Sequence, residues 1–171
     1  PNADGHDDGN EESMPVEESA NMLIMAAAVV QRLPAADAAA FARTHYAILR
    51  QWAEYLSANA LDPGYQNQTD DFTGFIAHSA NLALKGIVGI GAMGVVARFA
   101  GNSADQASYS STSRSYISQW VSKGEDPAGT NLDLAYGSSS TWSLKYNGFP
   151  DQLLGLDLVP VGIAAQEAAW Y

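Results

Sequence analysis

Cysteine is missing from all 171 residues. That removes disulfides, thiolate metal sites and a cysteine nucleophile. Basic residues are scarce: eight Lys and Arg stand against nineteen Asp and Glu, for a formal net charge of −11. Phosphate backbones are held by clustered Lys and Arg. The few here are scattered, so nucleic acid is disfavoured as a partner, and an anionic membrane surface for the same reason. Histidine is limited to His6, His45 and His78, no two of them at the i,i+4 spacing of a helical zinc pair. Neither a metal nor a cofactor is expected. Long apolar runs are lacking too: the two longest, near residues 22–30 and 86–97, look shorter than a membrane crossing requires.

Familiar catalytic signatures also fail. There is no Gly-x-Ser-x-Gly elbow. Gly86-Ile-Val-Gly-Ile-Gly falls inside a helical pattern and follows no strand, which excludes a phosphate loop. Asp4, His6, Asp8 and Gly9 imitate the opening of a calcium loop, but its twelfth position is Pro15 where a glutamate is needed.

What is present is a globular composition, 47% hydrophobic and 16% charged, long enough for one ordinary domain with a real core. Helical apolar spacing predicts helices over about 16–32, 35–58, 76–100, 103–122 and 151–156, with a last one from about 161. The third is unusually rich in Ala and Gly, which lets another backbone come close. Gly101-Asn102-Ser103 reads as the end of one helix and the cap of the next. Residues 124–150 are rich in Gly, Ser and Pro, with two short extended candidates at 132–136 and 142–146. Ser19-Ala20-Asn21-Met22 is echoed by Ser79-Ala80-Asn81-Leu82, and Gln51-Trp52 by Gln119-Trp120. Echoes at such separations mean stacked helical hairpins. The fold expected for residues 1–171 is therefore all-α: hairpins forming part of an (α/α) toroid, with an irregular insert near 124–150. Such a part leaves a flank uncovered, so a second polypeptide segment is expected against it.

The candidate chemistry is that of carboxylates. An acidic, Gly-punctuated stretch runs into Pro15, after which Glu17 and Glu18 open the first helix; Asp70 and Asp71 precede the third. In stacked hairpins these equivalent loops emerge on one rim. Paired carboxylates with divergent proton affinities can divide acid and base work. The alternative is that they are solvated and merely complement the helix dipoles. A third segment, Thr141-Trp-Ser-Leu-Lys-Tyr-Asn-Gly-Phe-Pro150, gathers an aromatic, a cation, a phenol and an amide, the residue set of a polar small-molecule pocket or of a plugged structural loop. Asn67-Gln68-Thr69 is a glycosylation sequon, which favours secretion.

Several long motifs together resemble the fungal glutaminase A family. They are Gly5-His-Asp-Asp-Gly, Met14-Pro-Val-Glu-Glu, Asp70-Asp-Phe-Thr-Gly-Phe-Ile-Ala-His-Ser-Ala-Asn-Leu-Ala-Leu-Lys-Gly-Ile, Trp142-Ser-Leu-Lys-Tyr-Asn-Gly-Phe-Pro-Asp and Glu167-Ala-Ala-Trp-Tyr. The match spans nearly the whole chain. It implies a secreted enzyme with a six-hairpin toroid, of which this chain is a later part, and hydrolysis of the side-chain amide of L-glutamine. It also implies that the remaining, upstream part of the same precursor is the partner that completes the toroid. Read onto that reaction, Glu17, Glu18 and Asp71 are the catalytic candidates. His6, Asp8, Asp70, Lys145, Tyr146 and Asn147 are the substrate-binding candidates, Lys145 for the α-carboxylate. Related toroids cleave glycosidic bonds with two carboxylates, so a glycoside hydrolase is the alternative enzyme, and an inert scaffold the alternative without catalysis.

Overall fold

The computed structural model describes residues 13–68 and 74–170. Six α-helices carry the architecture: α1 (Pro15–Val30), α2 (Ala35–Asn59), α3 (Ala80–Ala100), α4 (Ser103–Gly124), α5 (Phe149–Leu154) and α6 (Val161–Trp170). The all-α expectation holds. The small exception is an antiparallel pair, β1 (Tyr65–Gln66) and β2 (Ile76–Ala77), in register Tyr65↔Ala77 and Gln66↔Ile76.

Local chemistry sets most boundaries. Pro15 occupies the first turn of α1, where its missing N–H costs nothing, and Glu17 and Glu18 face the positive end of the helix dipole. Gly101 adopts φ +85° and ends α3, with the Asn102 N–H donating to the Ala97 carbonyl at 2.9 Å. The Asn102 side chain then accepts from the Asp105 N–H at 3.0 Å and starts α4. The third helix begins later than its apolar pattern implied. Residues 76–77 pair as strand, His78 is held at φ +59°, and Ser79 caps α3 by accepting from the Leu82 N–H. A left-handed residue interrupts the helix whatever the side-chain pattern says.

Helix α3 is apolar on every side and sits at the centre, packed by α1, α2 and α4. It is long and apolar enough to cross a membrane, which corrects the count made on residues 86–97 alone, and nearly all of it is buried inside the bundle. Its glycines permit the close approach. A Cβ on Gly86 would stand 2.5 Å from the Ala60 Cβ, and one on Gly89 would meet Leu56 and Ala20 within 3.0 Å. The outer pair of helices is tied by the Tyr46 hydroxyl donating to Asp105 and the Tyr116 hydroxyl donating to the Ser57 carbonyl, both at 2.7 Å. Trp52 and Trp120 fall equally far into α2 and α4, as the echo implied. Their burial differs: Trp120 is fully enclosed and donates to the Ala80 carbonyl at 2.7 Å, whereas Trp52 is only half-buried. The serines of the other echo also differ, since Ser79 is a cap and Ser19 lies within α1.

Residues 125–145 cross the start of α3 as irregular chain. The extended candidate at 132–136 is held by single bridges, Glu125↔Leu132 and Ser79↔Ala135, rather than a ladder. The candidate at 142–146 is not a strand; it runs into a 3₁₀ turn, Tyr146–Gly148, that leads into α5.

Candidate active site

Buried polarity is concentrated at one end of the bundle, where α1 and α3 begin. The Ser13 carbonyl accepts from the Asn67 N–H at 2.8 Å, and Gln66 Oε1 accepts from the Val16 N–H at 2.9 Å. Gln68 Oε1 accepts from the Ser79 hydroxyl at 2.9 Å. These bonds bring the described neighbours of both acidic stretches onto one rim, as stacked hairpins require. His6, Asp8, Asp70 and Asp71 lie outside the described residues.

Glu17 is 1% exposed. Its Oε1 accepts from Lys85 Nζ, on the facing turn of α3, and from Asn21 Nδ2 at 3.4 Å. Glu18, the next residue, is half-buried. One turn before Lys85, the Asn81 Oδ1 accepts from the Asn147 N–H at 3.2 Å, and the Asn81 carbonyl accepts from Asn147 Nδ2 at 3.0 Å. The Asn147 Nδ2 is thus used to tie the turn to α3.

Beside this contact lies a cleft of about 860 Å³ between the start of α3, the 144–149 turn, α5, the 157–161 turn and α6. Lys145 and Tyr146 line it together with Leu84, Phe149, Asp151 and Glu167. Tyr146 is partly exposed there. Lys145 is not: its Nζ donates to the Ser143 carbonyl at 2.6 Å, the Leu132 carbonyl at 3.0 Å and the Ser143 hydroxyl at 3.2 Å. Its three donors are therefore committed to the protein, and holding a substrate carboxylate would require opening one of these bonds. Burial pulls its pKa down to about 8, against the attraction of Glu167 and Asp133. Glu167 lies 3.9 Å away and is also buried. Burial raises its proton affinity more than the Lys145 charge lowers it. Asp133, buried in the same segment, is pushed up by burial and by Asp126. Asp151 is structural: its carboxylate accepts from the Leu158 and Val159 N–H groups at 3.0–3.2 Å and folds the turn back over α3.

Of the sequence-derived candidates, the structure brings Lys145 and Tyr146 into one cleft and sets Asn147 behind it. Glu17 and Glu18 do not line that cleft. The connection is α3, where Lys85 holds Glu17, Asn81 holds Asn147, and Leu84 between them faces the cleft. Lys85, Asp133, Asp151 and Glu167 were missed as site residues. Two carried a signal: Lys85 is a lone charge in the apolar run that begins α3, and Glu167 is the single charged residue of α6. A charge that the fold buries demands a partner. Lys145, Glu167 and Asp133, whose proton affinities burial shifts, can hold and move protons in a site of low dielectric.

Comparison with known proteins matches this architecture. The family model described as the glutaminase A six helical-hairpin domain matches residues 1–171. Glutaminase A of Aspergillus oryzae is 40% identical over 173 residues, covering 100% of this chain and 25% of its own length. A probable glutaminase of Arthroderma benhamiae is 35% identical over 207 residues, covering 90% of this chain and 24% of its own. The chain thus spans about a quarter of the length of the curated relatives it matches. No solved structure matches it. A bundle of helical hairpins around a glycine-lined central helix, matched from end to end by that family's model, belongs to the glutaminase A family, within its six helical-hairpin domain.

Proposed function

We propose that this chain works in an extracellular amidohydrolase that converts L-glutamine to glutamate and ammonia by carboxylate acid–base catalysis. The observation that carries the reading is the gathering of buried charge at the heads of α1 and α3, in a chain that shares 40% identity with a glutaminase. In the reaction a water oxygen bonds to the amide carbon and the C–N bond breaks. The water gives one proton to a carboxylate base, and ammonia leaves with a proton from an acid. Glu17, Glu18 and Asp71 are the candidates for these two roles. The half-buried Glu18 is the more accessible member of the first pair.

Met22, Met25 and Val29 on α1, with Leu33 in the turn that follows it, are exposed apolar residues. They support a contact with a further segment of the same polypeptide. Extracellular location rests on the sequon and the resemblance. Asn67 itself is buried, and its Oδ1 accepts from the Gln68 N–H at 3.0 Å. A glycan there requires attachment before the segment folds inward.

The test is ammonia release from L-glutamine by the full-length enzyme, with reducing-sugar release from oligosaccharides measured alongside. Glu17→Gln, Glu18→Gln and Asp71→Asn are assayed in parallel. Loss of an essential acid or base lowers kcat by about 10²–10⁴-fold. Sugar release without ammonia overturns the reaction, and three variants with full turnover overturn the carboxylate assignment.

A further inference from the structure

Helix α6 forms one wall of the cleft through Ile163, Ala164, Glu167 and Ala168. Ten residues make too short a helix to hold itself in water. Its place is normally secured by a buried apolar stripe. Here only Ile163 and Glu167 are buried, one turn apart on the inner face, and one of the two is a carboxylate. The remaining polar tie is Gln166, whose Nε2 donates to the Gly129 carbonyl at 2.8 Å and to Glu125 at 3.1 Å, both at the exposed surface.

The inner carboxylate enters a prepared surrounding. The main-chain N–H groups of Leu132 and Lys145 and the indole N–H of Trp142 lie near enough to lower its proton affinity. The Lys145 ammonium stands at 3.9 Å. None closes to full hydrogen-bond geometry on either Glu167 oxygen, so the carboxylate is ringed by donors rather than clamped by one. Every donor comes from the irregular 132–145 segment, which itself crosses the head of α3 through the Ala80 N–H donating to the Leu134 carbonyl at 3.1 Å.

We infer that Glu167 is a positioning residue: its carboxylate, seated among the donors of the 132–145 segment, docks α6 as the wall of the cleft and fixes Lys145 beside it. This rests on the proposed glutaminase reading for its kinetic consequence, but the docking itself does not. A purely space-filling role is distinguishable. Replacing both buried charges by apolar residues of similar volume restores packing without restoring the charge pair.

The experiment uses the full-length enzyme and compares wild type, Glu167→Gln and the double variant Lys145→Met/Glu167→Met. Hydrogen exchange is read peptide by peptide, and KM and kcat are measured for L-glutamine. Glu167→Gln is expected to speed exchange across 161–170 at least tenfold while α1–α4 stay protected. KM should rise at least tenfold, with kcat within about threefold of wild type. The double variant is expected to keep the fast exchange and the raised KM, because the donors of 132–145 have lost their acceptor; slow exchange recovered by apolar fill alone overturns the docking role. Unchanged exchange in Glu167→Gln overturns the docking role. A wild-type KM in an enzyme whose α6 has loosened overturns the positioning role, and so does a double variant that recovers KM. If wild type releases no ammonia, the proposed function fails, and exchange alone decides whether Glu167 docks α6.

Discussion

Removing Lys85 breaks a buried charge contact in the core. The Lys85 and Glu17 side chains are 9% and 1% exposed and join the central helix to α1. Lys85→Met keeps the length of the side chain and removes the ammonium. The carboxylate of Glu17 then stays in a low-dielectric site with its main cation gone. Breaking a buried pair from one side costs about 3–5 kcal/mol. The double change Lys85→Met/Glu17→Met removes both desolvation penalties and adds apolar packing, so its net cost is expected near zero or slightly favourable. The coupling energy of the cycle should then be several kcal/mol. Urea melts followed by tryptophan fluorescence supply the four stabilities. Under the proposed function the double variant regains stability and remains inactive, because the candidate acid–base group is gone. A Lys85→Met penalty below about 1 kcal/mol would mean that water or another donor already satisfies Glu17, and the reasoning from burial would be refuted.

Three further outcomes follow from the packing and the titrating groups. Gly86→Ala gains about 1 kcal/mol of helix propensity, but its new Cβ meets the Ala60 Cβ at 2.5 Å. The overpacking cost of about 1–3 kcal/mol wins, so the melting temperature should fall; a rise would show that α2 gives way freely. Trp120→Ala should cost about 3–5 kcal/mol and Trp52→Ala distinctly less, since only the first ring is fully enclosed; equal losses would contradict the difference in burial. Burial pulls the Lys145 pKa down to about 8, against an ordinary lysine value of 10.5. Between these values the unfolded chain binds more protons, so the Lys145 contribution makes stability rise with pH across that window. Comparing wild type with Lys145→Met from pH 7.5 to 10.5 should show that slope lost in the variant; parallel curves would place the ammonium in water.

The sequence by itself determined the helices and where most of them stop. Pro15, Gly101 and Asn102 act through the conformation and bonds of their own few residues, and such local chemistry is readable without a structure. It also determined the hairpin pattern and, through long motifs, the family. Tertiary structure decided the rest. The left-handed His78 moved the start of α3, because a strand pair formed with Tyr65 and Gln66 outcompetes one more turn of helix there. Lys145 was visible as a cation, yet what it faces was not. Its partner Glu167 comes from a separate stretch of chain, as do Glu17 and Lys85, and Asn81 and Asn147. A charge shows in the sequence; its burial and its partner depend on which distant residues the packing brings alongside, and no periodicity encodes that.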